Sequence, residues 1–170
     1  MKNKEKLMGI VMAVIMSLVM GLLAAFLIIK GADEKQLAAM PPAPVTYISN
    51  ALESVIAGVI ITLILPMGKW GRGLASKAGA NPPSFKFMLL NCLPVSVISA
   101  IFCSFTVCLI NVLIAYTKIP AEGKPPFAGM FLGQWGKLLI PSILISYVVS
   151  VLISPLVAGA LGLTGPRKDH

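Results

Sequence analysis

LMGIVMAVIMSLVMGLLAAFLII, residues 7–29, contains no charged side chain from end to end. Crossing about 30 Å of hydrocarbon takes about 20 such residues at about 1.5 Å per helical residue. This stretch is therefore predicted to be a membrane-spanning helix. Three more segments of the same kind follow it: Val45–Met67, roughly Leu89–Ala115, and Leu138–Leu161. Each is bounded by charge, proline or glycine, and the third is long enough that it should tilt or project beyond the bilayer. Lys2, Lys4 and Lys6 give the first segment a basic start like that of a secretory signal. Its apolar run is longer than the about 7–15 residues of a signal core, and no convincing small-residue cleavage site comes before Lys30, so an uncleaved helix is expected.

Composition points the same way. Apolar residues make up 57% of the chain and charged residues 12%, against about 45–50% and 25% in soluble domains. So few polar residues cannot coat a water-soluble core of this size, and lipid is the natural solvent. A net charge of +8 invites a nucleic-acid reading, but that needs basic residues gathered on one soluble face. Here they lie almost wholly between and outside the apolar runs, so the expected partners are the lipid bilayer and its anionic headgroups, with no nucleic acid.

The distribution of the basic residues predicts orientation. Lys2, Lys4, Lys6, Lys69, Arg72, Lys77, Lys86, Arg167 and Lys168 fall on one side. Lys30, Lys35, Lys118, Lys124 and Lys137 fall on the other, partly offset by Asp33, Glu34 and Glu122. By the positive-inside rule the richer side is cytoplasmic, which puts both termini inside a bacterial-type inner membrane. Aromatic residues mark the same boundaries, Trp70, Phe85 and Phe87 on the inner edge and Tyr47, Tyr116 and Trp135 on the outer.

The two halves share a layout. Each has a helix, an external loop with a Pro-Pro pair (Pro41-Pro42, Pro125-Pro126), and a second helix with proline near its inner end. Placing Pro66 over Pro155 also superposes Leu63 and Ile64 on Leu152 and Ile153, and Val59 on Val148. Two repeats of about 7–80 and 87–163 are expected within one membrane domain covering 1–170. Two helices per unit make them parallel, unlike the inverted repeats of many transporters. With Ile64-Leu65-Pro66, Ile153-Ser154-Pro155-Leu156 and the Phe127–Trp135 approach to the last helix, the chain resembles a bacterial family of small inner-membrane proteins whose unit is two helices with a proline ending the second. The resemblance implies a fold and a location, and brings no activity.

Small side chains recur every four residues on the predicted helices. The first carries Gly9, Ala13, Ser17, Gly21 and Ala25; the second Ser54, Gly58 and Thr62; the third Cys92, Ser96, Ala100, Ser104 and Cys108; the fourth Ser142, Ser146, Ser150, Ser154, Ala158 and Gly162. Lipid tails are as apolar as leucine, so membrane helices associate by close backbone approach and interhelical hydrogen bonds. These ladders predict a tightly packed all-α bundle of four helices. The alternative, a polar path lined by the last helix's serines, competes with bonding of those hydroxyls to their own backbone.

Glu53 is the one acid clearly inside an apolar segment, about 12 Å in from Val45 at about 1.5 Å per residue. An acid at membrane depth is a functional candidate. It could serve a polar site with Asn50, Ser142 and Ser146, with Asn91 and Asn111 as further neighbours; the competing reading seats it at the interface or against Lys137. The Gly68–Gly73 segment lacks the phosphate-loop spacing and reads as a flexible basic connection. Cys92, Cys103 and Cys108 have no CxxC pair, and the sole histidine is His170, so no metal or cofactor is expected. With no general base or acid pair, an enzyme is not expected either. Two classes survive: a non-catalytic membrane component that packs against itself, as a homo-oligomer, or against another membrane protein, and a small solute or cation transporter or channel subunit using Glu53 and the hydroxyl ladders.

Overall fold

The computed structural model describes residues 2–31, 40–82, 84–119 and 124–161. Asp33, Glu34, Lys35, Glu122, Gly162, Arg167, Lys168 and His170, which entered the reading above, lie outside the described residues. Five helices are described: α1 (Lys2–Gly31), α2 (Ala43–Ile64), α3 (Met67–Lys77), α4 (Phe85–Lys118) and α5 (Phe127–Ala160). Four of them, α1 from Leu7 onward, α2, α4 and α5, are long and apolar enough to cross a membrane. The protein is an all-α polytopic membrane protein.

The helices start where the sequence chemistry lets them. Pro42 and Pro126, the second members of the two Pro-Pro pairs, are the N-caps of α2 and α5, where the missing proline N–H leaves no bond unmade. Ser84 caps α4, its hydroxyl accepting from Phe87 N at 3.2 Å.

Packing inverts the water-soluble pattern. The interior holds small and hydroxyl-bearing side chains, with Ser54, Ser96, Ser142, Ser146 and Ser150 all buried, while Ile48 and Leu156 are 69% and 70% exposed. A lipid-facing surface favours this arrangement, because hydrocarbon solvates Leu and Ile as well as a protein core does. α1 and α4 form the centre of the bundle; α2 packs on both from one side and α5 on both from the other, and no extensive contact joins α2 to α5.

The α1–α2 contact is antiparallel and very close. Gly9 faces Thr62, Gly58 lies against Ser17 and Ala13, and Gly21 lies against the backbone of Asn50 and Ala51. Met12 and Met16 pack with Val157 of α5, Met20 with Ala100 and Cys103 of α4, and Ala24 with Val107. Ala13 and Ala25 are buried on the same helix. Across α4 and α5 the two remaining ladders meet in antiparallel register. The Cys92 thiol approaches Ser150 O at 3.8 Å, Ser146 Oγ donates to Ser96 O at 3.2 Å, and the Cys108 thiol approaches Phe131 O at 3.9 Å. Ser154, 9% exposed, continues the same stripe.

Several elements differ from the sequence expectation. α5 starts eleven residues before Leu138, because Phe127, Met130, Phe131 and Trp135 present one aromatic face to α4 although Gly, Gln and Lys dilute the hydropathy there. The rings of Phe105, Phe131 and Trp135 form edge-to-face and stacked contacts at 5.2–5.9 Å. Trp135 is accordingly half-buried, and its indole donates to Ser104 Oγ at 3.1 Å. At 34 residues each, α4 and α5 run about 51 Å at about 1.5 Å per residue, beyond the hydrocarbon thickness. Pro66 separates α2 from α3, but Pro155 sits inside α5, so only the first of the two aligned prolines ends its helix.

The Gly68–Gly73 connection is part of helix α3. Met67, Gly71 and Ala75 are buried, and Gly71 sits directly on the backbone and side chain of Asn91. Lys69, Trp70, Arg72 and Lys77 are on the exposed side. Glycines that read as flexible in the sequence serve here as the close-approach face of a short amphipathic helix.

Candidate functional site

Glu53 lies at mid-length in α2, ten residues, or about 15 Å at about 1.5 Å per residue, past Ala43. The neighbouring contacts agree on that depth: Gly21 meets α2 at Asn50 and Ala51, and Gly58 meets Ser17, which brackets Glu53 opposite the middle of the Leu7–Gly31 span. Lys137 is exposed on α5, the helix on the other side of the bundle from α2.

The side chain points to the groove between α2 and α4. It lines a cavity of about 330 Å³ together with Ile56, Ala57, Ile60, Ile61, Phe102, Thr106 and Ile110. Glu53 Oε2 is buried and meets no hydrogen-bond donor among the described residues. The polar groups around it have their donors directed elsewhere. Asn50 Nδ2 donates to Thr46 O at 2.7 Å, Asn111 Nδ2 donates to Asn50 Oδ1 at 2.7 Å and to Val107 O at 2.8 Å, and Thr106 Oγ1 donates to Phe102 O at 2.9 Å. Asn50, 1% exposed, therefore works as an interhelical clamp between α2 and α4, one turn from the acid.

Ser142 and Ser146 are on the far side of the bundle. Both are fully buried; Ser146 bonds Ser96 O of α4, and Ser142 Oγ has no hydrogen-bond partner among the described residues. The four residues thus fall into two separate places, Glu53 and Asn50 on α2 and the serines on α5. Asn91 belongs to neither, since it supports Gly71 of α3.

Phe102, Thr106 and Ile110, which complete the groove, were not singled out by sequence reasoning. They form an i, i+4, i+8 stripe on α4 on a different face from its small-residue ladder. Their spacing is visible in the sequence, but nothing in it says that α2 covers that stripe. Cys92, Cys103 and Cys108 are free and buried. The Cys103 sulfur lies 3.6 Å from Ser17 Oγ and approaches Ser54 O at 3.8 Å, linking α1, α2 and α4 at the bundle centre. Neither protein-family models nor curated proteins nor solved structures match the chain.

Proposed function

We propose that the protein is a non-catalytic multi-pass component of the cytoplasmic membrane, with both termini on the cytoplasmic side, that acts by associating with itself or with another membrane protein. The observation that carries this reading is the separation of its polar groups. A carrier built from Glu53 and the α5 hydroxyls needs them around one cavity, whereas α2 and α5 lie on opposite sides of the α1–α4 centre. Two serines of α5 are engaged in helix contact, Ser146 with Ser96 and Ser150 beside Cys92, and Ser142 is buried away from the Glu53 groove. Close packing of small residues at membrane depth makes a rigid body, which suits a scaffold.

The nine-to-five excess of basic residues supports the orientation, and the exposed Lys69, Trp70 and Lys77 of α3 suit an inner headgroup layer rich in anionic lipid. The shared N-cap role of Pro42 and Pro126 supports a duplicated two-helix unit, in keeping with the resemblance to small inner-membrane proteins. The transporter reading retains one observation, the cavity beside Glu53. Mild solubilisation from native membranes should yield a particle larger than a monomer, and proteoliposomes should show no protein-dependent flux of protons, Na⁺ or K⁺. A monomer with flux that disappears in Glu53→Gln would refute the accessory reading.

A further inference from the structure

We infer that the groove between α2 and α4 is a binding site for a lipophilic organic cation, which reaches it sideways from the bilayer. A scaffold has no need of such a site, so the inference goes beyond the accessory reading. It starts from a mismatch: an acid at mid-length of a spanning helix, one oxygen buried with no donor among the described residues, in walls that are otherwise almost wholly apolar. Charge in such surroundings is costly unless something compensates it. The protein does not do so, because the donors of Asn50, Asn111 and Thr106 are directed to Thr46 O, Asn50 Oδ1, Val107 O and Phe102 O. A proton can neutralise the carboxyl while the groove is empty, and a cationic ligand would supply the compensating charge when it binds.

The walls say which kind. A small metal ion wants about six oxygen ligands, and this cavity offers one carboxylate among Ile56, Ala57, Ile60 and Phe102. An organic cation with an apolar body suits both parts: its charge faces Glu53, its body fills the aliphatic lining, and the Phe102 ring adds a cation–π surface. A cavity of about 330 Å³ lies within the about 300–1,000 Å³ range of small-ligand sites. A membrane helix fits less well, since helices dock on small residues and this rim carries Ile56, Ile60 and Phe102, 53%, 52% and 43% exposed. The same exposure turns the opening toward lipid, so the ligand is one that partitions into the bilayer.

The experiment uses the purified full-length protein in detergent with tetraphenylphosphonium as probe and tetraphenylborate, nearly the same shape with opposite charge, as control. Saturable tetraphenylphosphonium binding at one site per chain is expected, with no competition from tetraphenylborate. Glu53→Gln should weaken binding at least tenfold at unchanged helicity and elution volume, Glu53→Asp should restore most of it, and Ala57→Phe should block it by filling the cavity with the charge intact. Absence of saturable binding, full affinity in Glu53→Gln, or equal binding of tetraphenylborate overturns the inference. So does a cross-link from Ile60→Cys, in a background lacking the three native cysteines, to a second protein chain in native membranes that tetraphenylphosphonium does not suppress, because the groove would then hold a partner helix.

Discussion

Replacing Gly21 by alanine adds a single methyl group, at a place where the fold has no room for one. A Cβ at this position would collide with Asn50 O, and would lie 2.5 Å from Ala51 Cα and 2.8 Å from Ala51 N. Carbon contacts are at rest near about 3.5–4.0 Å, so α1 and α2 have to separate by about 1 Å or more. The obstructing atoms are helix backbone and cannot swing aside as a flexible side chain would. Overpacking commonly costs about 1–3 kcal/mol, and rigid neighbours put this site at the upper end of that range. Alanine recovers about 1 kcal/mol of helix propensity over glycine, leaving a net loss of about 2 kcal/mol. At about 2–4 °C per kcal/mol for a chain of this size, Tm should fall by about 4–8 °C. The control is Gly133→Ala in α5, where no atom lies within 4 Å of the added Cβ and propensity alone should leave Tm equal or slightly raised. Both are read by thermal unfolding in one detergent. If Gly21→Ala melts with or above Gly133→Ala, Gly21 is not a contact position and the α1–α2 packing described above is wrong.

Gly71→Ala should lift α3 from Asn91 and speed amide hydrogen exchange across 67–77 while α1 and α2 keep their protection; unchanged exchange would mean α3 is not held there. Asn111→Leu removes the Asn50 clamp and should cost about 0.6 kcal/mol, the average for interhelical bonds in membranes, and no more than about 1.7 kcal/mol, seen as a lower Tm that Asn50→Leu lowers little further in the double variant. Cys92, Cys103 and Cys108, 3%, 1% and 4% exposed, should resist maleimide in the folded protein and all react after denaturation; rapid labelling of the native state would contradict the packing. Single cysteines at Lys77 and Lys124 in a cysteine-free background should label with an impermeant reagent in intact cells at 124 only, and labelling at 77 would reverse the topology.

The sequence by itself determined the solvent, the number of spans and the identity of the small-residue ladders. Each depends on a property that local sequence carries: uninterrupted apolar length for the spans, and a four-residue period for Gly9 to Ala25, Cys92 to Cys108 and Ser142 to Ser154. It did not extend α5 back to Phe127, because a hydropathy window discounts Gly133, Gln134 and Lys137 while tertiary contact with Phe105 and Ser104 rewards the aromatic face between them. Nor did it make a helix of Met67–Lys77, whose Gly71 favours flexibility until Asn91 lies beneath it. The candidate site depended most on tertiary structure. Glu53 was conspicuous as a lone intramembrane acid, but a helix period says which residues share a face and nothing about which helix lies opposite. Only the arrangement of α1 and α4 between α2 and α5 separates Glu53 from Ser142 and Ser146 and sets it against Phe102 and Thr106, because neighbour choice among four similar apolar helices is decided by how their small-residue faces fit together.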